Sequence, residues 1–188
     1  MERFGIGDKA SAQAIFVKDV PVSKMRIGGR FDVICIGKDG KEKWRDRAYN
    51  KVVNQGLQHA LDVVLTGGTA VGTWYVGLTE SAPTVVAGDL TSTHGFEELA
   101  AGTAYTGDRK AWVEGRTNQT VDNSSNKSTF TIDVDATTVG GALLNSEATG
   151  DTGVLFSAAA FSGGDKAADS GDKIIVTYTI VASDDTSS

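Results

Sequence analysis

The sequence predicts a mainly β protein: an antiparallel β-sandwich or barrel-like domain with one short α-helix (about 54–66) and an extended N-terminal arm. Three observations carry that expectation. Ser128–Ala136 alternates apolar and polar residues with period two, and Lys173–Ala182 repeats apolar residues at every second position, with Thr177 and Thr179 marking the other face. The 188 residues include 23 Gly, 20 Thr and 14 Ser but only 2 Pro, a composition suited to short strands joined by tight turns. Residues 54–66 repeat apolar side chains with a helical period. The length fits one domain of roughly 100–200 residues. With 40 % hydrophobic and 22 % charged residues, the chain has enough apolar material for a core and too little charge for wholesale disorder.

Taken in order, residues 1–26 show little period beyond Ala14-Ile15-Phe16-Val17, and Pro21 breaks the short stretch between that run and the first strand. They are expected to form an arm with room for one short strand, ordered where it lies on a neighbour. A single β-rich domain, 27–182, comes next. Arg30–Ile36 and Lys43–Val53 flank Lys38-Asp39-Gly40-Lys41, a β-hairpin whose Asp-Gly supplies the positive φ its turn needs. Cys35, within Phe31–Ile36, reads as a small buried strand residue.

For the helix, Asn54 is the expected N-cap, and Gly67-Gly68 the stop. Leu57, Ala60, Leu61, Val64 and Leu65 form one apolar stripe. A helix this short needs tertiary support, so the stripe is expected to pack on a sheet, with His59 on the solvent side. Strands are then expected at Thr73–Leu78, Ser128–Ala136, Val139–Leu144, Val154–Phe156 and Lys173–Ala182. In the last, Ile174, Val176, Tyr178, Ile180 and Ala182 share a face. The connection from Glu80 to about Gly95 has a length that points to a disordered or a functional loop, the functional option being a surface loop touching a partner. Asn118–Lys127 is a second polar loop, and the acidic tail 183–188 is expected to fray.

Charge is unevenly placed. Residues 1–51 hold 12 Lys/Arg against 7 Asp/Glu, whereas 52–188 hold 6 against 17, so +5 faces −11 within a total of −6. The basic hairpin has two readings, a solvated turn or one half of a head-to-tail contact between copies in an assembly. Trp44 and Tyr49 interleave with Arg45 and Arg47, but no nucleic-acid-binding motif accompanies them. No apolar run approaches the ~20 residues of a membrane span, and MERFGIGDKA does not read as a signal peptide. Synthesis and folding in a reducing cytoplasm are expected.

Chemistry is sparse. One Cys and 2 His leave little for disulfides, zinc or imidazole catalysis. No Gly-x-Ser-x-Gly elbow, phosphate loop or His-Glu-x-x-His appears. A triad would have to use His59 or His94. Glu97-Glu98 and Asp133/Asp135 are the carboxylate pairs a glycosidase would need, although spacing establishes neither a cleft nor split pKa values. The simpler reading of Asp133/Asp135 is the wet face of a strand. A calcium loop beginning at Asp133 fails, with Thr138 at the glycine position and Leu144 at that of the bidentate Glu. Asp165, Asp169 and Asp172 could gather at a hard cation or form a solvated acidic turn. A free carbohydrate-binding module would display Trp44, Trp74 or Trp112. No catalytic, cofactor or metal residue is expected.

The segments NKVVNQGLQHALD and GTWYVGLTE, with Arg109-Lys110-Ala111-Trp112, Phe130-Thr131-Ile132, Thr138–Ala142 and Ser170-Gly171-Asp172, resemble a family of small structural proteins of tailed bacteriophage virions. The likeness spans roughly 28–182; Phe96 stands where family members often carry Trp. The resemblance implies a virion component without enzyme activity. The leading expectation is a capsid decoration (cement) protein on the outer surface of the head. The alternative is a neck, tail or tail-fibre-attachment protein. Expected partners are the major capsid protein or neck and tail proteins, and further copies of this chain as a homo-oligomer, without nucleic acid or membrane. Expected interaction residues are Arg3, Phe4, Ile15 and Phe16 of the arm and Lys41, Lys43, Trp44, Arg45 and Arg47 of the hairpin.

Overall fold

The structure is a computed structural model and describes residues 25–184. Two antiparallel sheets face each other, and among the described residues no barrel closes. In the first, β1 (Met25–Ile36) pairs along its whole length with β13 (Lys173–Asp184), Met25 opposite Asp184 and Ile36 opposite Lys173. The expected hairpin is present: β2 (Glu42–Tyr49) returns along β1 after a turn in which Gly40 has φ +80°. The far edge of β13 is shared by β8 (Ser128–Thr131) and β7 (Thr120–Asp122), with β6 (Gly115–Thr117) beyond β7. The second sheet runs β3 (Lys51–Val52), β11 (Leu155–Ala160), β10 (Gly141–Asn145), β4 (Trp74–Thr79), β5 (Lys110–Trp112). A ribbon of β9 (Thr137–Val139) and β12 (Lys166–Ala168) completes the strands.

The expected second arm of the hairpin, 43–53, therefore divides. Its first part stays with β1, and after Asn50 the chain crosses to the second sheet as β3. The core lies between the sheets. Phe31, Val33, Cys35, Ile174, Val176 and Tyr178 meet Val76, Leu78, Ala142, Leu144 and Phe156, and Phe31 stacks on Tyr178 at 4.1 Å. The Tyr178 hydroxyl reaches Ser157 Oγ of the opposite sheet and accepts from Asn50 Nδ2, both at 2.7 Å. A buried hydroxyl left unpaired would be costly, and here the opposite sheet and the crossover between β2 and β3 supply partners.

The second sheet is also covered on its outer side. Val53, Phe96, Leu143, Leu155 and Ala158 form a separate apolar cluster with Val85 against it. Residues 80–99 are that cover, packed on the sheet along one side while Ala82, Thr84, Val86 and Leu90 stay exposed on the other. Pro83, Asp89 and Thr91 are buried, Asn54 N donates to Ala87 O (2.8 Å), and Asn145 Nδ2 donates to Thr91 Oγ1 (2.9 Å). Residues 140–141 must be glycine here, because a Cβ on Gly140 would lie 2.0 Å from Ala82 N and one on Gly141 2.4 Å from Ala159 O.

Three further expectations are corrected. The strand predicted over 128–136 stops at Thr131. Ile132 still bridges Tyr105, but Val134 is exposed and Ala136 sits at φ +56°, so Asp133 and Asp135 belong to a turn. Met25 and Arg26 belong to β1 and Ser183 and Asp184 to β13, trimming the expected arm and tail; their remainders lie outside the described residues.

The helix differs most. α1 spans Asn54–Leu61 and passes into a π-helical turn, Asp62–Thr66, before Gly67 (φ +77°) ends it as expected. Val53, not Asn54, precedes the first turn, and no side chain caps it. The packed face comprises Gly56, His59, Ala60 and Val63, one position earlier than the predicted stripe, or about 100° around the helix. Gly56 is the cause: a Cβ there would meet Phe156 O at 2.5 Å, so the absent side chain lets the helix backbone rest on β11. His59 is correspondingly half-buried, edge-on to Trp74 at 5.5 Å, and Trp74 packs edge-on to Phe156 at 5.5 Å. Leu57, Leu61, Val64 and Leu65 point away from the sheet.

Candidate interaction surface

The hairpin residues expected to bind a partner are largely occupied within the chain. Lys43 Nζ lies 2.7 Å from both Asp169 Oδ2 and Asp172 Oδ2, and these carboxylates raise its ammonium above the usual lysine range. Trp44 donates its indole N–H to Ala167 O (2.8 Å) and tilts against Phe161. Arg45 forks onto Glu42, and Arg47 pairs with Asp32 at 2.6 Å. Lys41, far more exposed, lies 3.8 Å from Asp39. Arg3, Phe4, Ile15 and Phe16 fall outside the described residues. The positive charge of this hairpin is thus met by its own acids and by the 169–172 turn.

That turn is a joint between chain regions. Asp172 is almost fully buried, and it accepts from Lys38 N (3.2 Å) and Asp169 N (2.8 Å) besides Lys43, with the Cys35 thiol 4.0 Å away. Burial acts to raise its carboxyl. The Asp169 amide, the Lys43 ammonium and the Lys38 amide outweigh that and hold it below the ordinary carboxylate range. The solvated-turn reading is therefore corrected for Asp172. Asp165 accepts from Ala82 N (2.8 Å), and among the described residues no group of three or more His, Cys, Asp or Glu is placed to hold a metal.

A cleft of about 400 Å³ gathers His94, Glu97, Glu98, Tyr105, Arg109 and Asp151. Arg109 is buried and forks onto Glu98 (2.8 and 2.7 Å), with further bonds to Glu147 O (2.8 Å) and Gly150 O (2.7 Å). His94 stacks on Phe96 at 4.1 Å, with Nδ1 2.9 Å from Phe96 O and Nε2 3.7 Å from Glu98 Oε1. Arg109 thereby ties the 146–153 turn to the 94–99 segment, which its sequence context, Asp108-Arg109-Lys110, does not announce. Glu98 is committed to that clamp. Asp133 accepts from Thr106 Oγ1 (2.9 Å) and Asp135 from Ser170 N (2.9 Å), and neither lines this cleft.

Among the described residues, an apolar stripe of α1 and its π-helical turn stands exposed. Leu61 is 47 % exposed, Leu65 73 % and Val64 77 %, on the stripe that was expected to be buried. Leu61 and Leu65 border a groove of about 530 Å³ with Val154. Leu57, one turn earlier, borders a second groove of about 580 Å³ with Met25, Tyr49 and Val181, all exposed. The first groove runs along α1 and its π-helical turn, and the second lies at the start of β1 with Leu57 at its border. Sequence periodicity found Leu57, Leu61, Val64 and Leu65 and assigned them to the face packed on the sheet. No protein-family model, curated protein or solved structure matches the chain. Among the described residues no helix is long and apolar enough to cross a membrane.

Proposed function

We propose that this chain is a non-enzymatic structural protein of a tailed-phage virion, a decoration (cement) protein bound in many copies to the outer surface of the head. The resemblance in NKVVNQGLQHALD and GTWYVGLTE supports the family. The observation that carries the assembly role is the uncovered stripe of Leu61, Val64 and Leu65. Covering such residues stabilises an association by about 1.5–3 kcal/mol for each side chain fully buried, and contiguous exposed apolar surface marks interaction sites. The capsid protein or another copy of the chain is the partner that covers it. Ionic attraction from the hairpin contributes little, because Lys43, Arg45 and Arg47 already have acidic partners.

Copy number in purified particles tests the reading. Hundreds of copies per particle are expected, and loss of the protein from particles when Val64 and Leu65 are both changed to Glu. A few copies in a ring would place it at the neck or tail, and absence from particles would overturn the virion assignment.

A further inference from the structure

The cleft between the 91–101 segment and the 148–151 turn holds polar atoms that the chain itself leaves unanswered. Tyr105 lines it although the residue is only 1 % exposed, its ring set edge-on to Phe130 at 5.1 Å. Among the described residues no hydrogen bond reaches its hydroxyl, a costly state for a buried polar group. Asn50 Oδ1 is the fully enclosed side-chain atom there that lacks a partner, so the Tyr105 hydroxyl keeps an opening, and it opens on the cleft. The charges that act on it include Glu98 and Arg109, both in the cleft wall. His94 presents a second unanswered atom. A carbonyl oxygen only accepts, so His94 Nδ1 carries the proton that reaches Phe96 O at 2.9 Å. In the neutral ring Nε2 is then an acceptor, and it faces another acceptor, Glu98 Oε1, at 3.7 Å. A donor reaching both would relieve that opposition.

Glu97, Glu98 and Asp151 bring three carboxylates to the walls, against the one guanidinium of Arg109, which is turned onto Glu98, Glu147 O and Gly150 O. We propose that this cleft binds an alkylammonium group, whose N–H donors answer His94 Nε2, Glu98 Oε1 and the Tyr105 hydroxyl while its methylenes lie along Phe96, Ala100 and Ala101. An ammonium carries three donors and no acceptor, which matches a wall offering acceptors and negative charge. A carboxylate or phosphate would be repelled there, and a neutral alcohol would leave the charge unanswered. The volume of about 400 Å³ lies within the range of small-molecule sites. A free amine and the lysine side chain of a partner protein present the same group. None of Leu61, Val64 and Leu65 lines the cleft, so the inference does not rest on the virion reading.

Titrating the purified full chain with n-pentylamine at fixed pH and ionic strength, followed by amide NMR shifts, tests it. Saturable shifts are expected at Leu99, Tyr105 and Gly150, with n-pentanol and pentanoate binding at least about tenfold more weakly. A parallel titration with Nα-acetyl-lysine N-methylamide separates the two sources: tighter binding than pentylamine assigns the site to a partner's lysine, weaker binding to a free amine. Tyr105→Phe keeps the ring on Phe130 and removes only the hydroxyl. It should weaken pentylamine binding by about 2–10-fold, the worth of one hydrogen bond, yet melt at the parent's Tm or above, because the hydroxyl has no partner in the fold. Asp151→Asn, at an exposed carboxylate, should weaken binding as well. No saturable shifts, an equal response to pentanol or pentanoate, unchanged affinity in Tyr105→Phe, or a lowered Tm of that variant would each overturn the proposal.

Discussion

Replacing Gly56 by Ala separates two terms of opposite sign. Ala is a better helix former than Gly by about 0.8–1.0 kcal/mol, so in an undocked helix the change would stabilise. In the docked helix the new methyl would lie 2.5 Å from Phe156 O, 2.8 Å from its Cα and 3.0 Å from its carbonyl carbon. Those atoms are the backbone of β11, hydrogen-bonded to β3 and β10 on its two sides, and cannot yield like a flexible side chain. The helix must move outward, lifting His59 from Trp74, at an overpacking cost of about 1–3 kcal/mol. The two terms leave a net loss of about 1 kcal/mol at mid-range and about 2 kcal/mol at most. At about 2–4 °C per kcal/mol for a domain of this size, Tm should fall by about 2–4 °C at mid-range and by no more than about 8 °C. Circular dichroism melts of the full chain measure this, and Trp fluorescence reports the disturbance at Trp74. Gln58→Ala, on the exposed face, should leave Tm nearly unchanged. A Gly56→Ala variant as stable as the parent, or more so, would refute the docking that left the leucine stripe uncovered.

Asp172→Asn should destabilise by about 2–4 kcal/mol in urea titration, because Lys43 loses its buried partner and an amide replaces a charged acceptor. The Asp172 carboxyl is held below its unfolded value of about 3.9, so its contribution is present above that pH and lost as pH falls through the folded value. Stability of the parent should therefore drop more steeply below about pH 4 than that of Asp172→Asn. Arg109→Met should cost about 3 kcal/mol by leaving Glu98 unpaired in its cleft, and adding Glu98→Gln should restore part of it, as a double-mutant cycle would show. Association through Leu61, Val64 and Leu65 should persist at 1 M salt, where the Debye length is about 3 Å; dissociation measured by sedimentation would point to ionic contacts instead.

What could be read from the chain was local. Phe130 and Ile132 alternate with polar neighbours, Ile174, Val176 and Tyr178 recur at every second position, and each is buried as that period requires. Asp39-Gly40 marks its own turn through the positive φ of Gly40. The end of β8 was not readable, because Val134 continues the alternation and only the turn at Ala136 takes it out of the sheet. For the candidate surface, the residue types were in view and their roles were not. Lys43 and Arg47 looked like free cations until the fold brought in Asp169 and Asp172, more than 120 positions away, and Asp32 from the neighbouring strand.

The sequence by itself thus determined a β-rich domain, its central hairpin, its last strand and the place of its helix, since each is dictated by period and turn chemistry within a dozen residues. Tertiary structure alone decided which side of that helix is covered. Periodicity ranks faces by side-chain hydrophobicity, but at Gly56 the winning contact is made by backbone against backbone at Phe156, closer than any side chain would allow. The more hydrophobic stripe is left facing outward, where another surface can cover it.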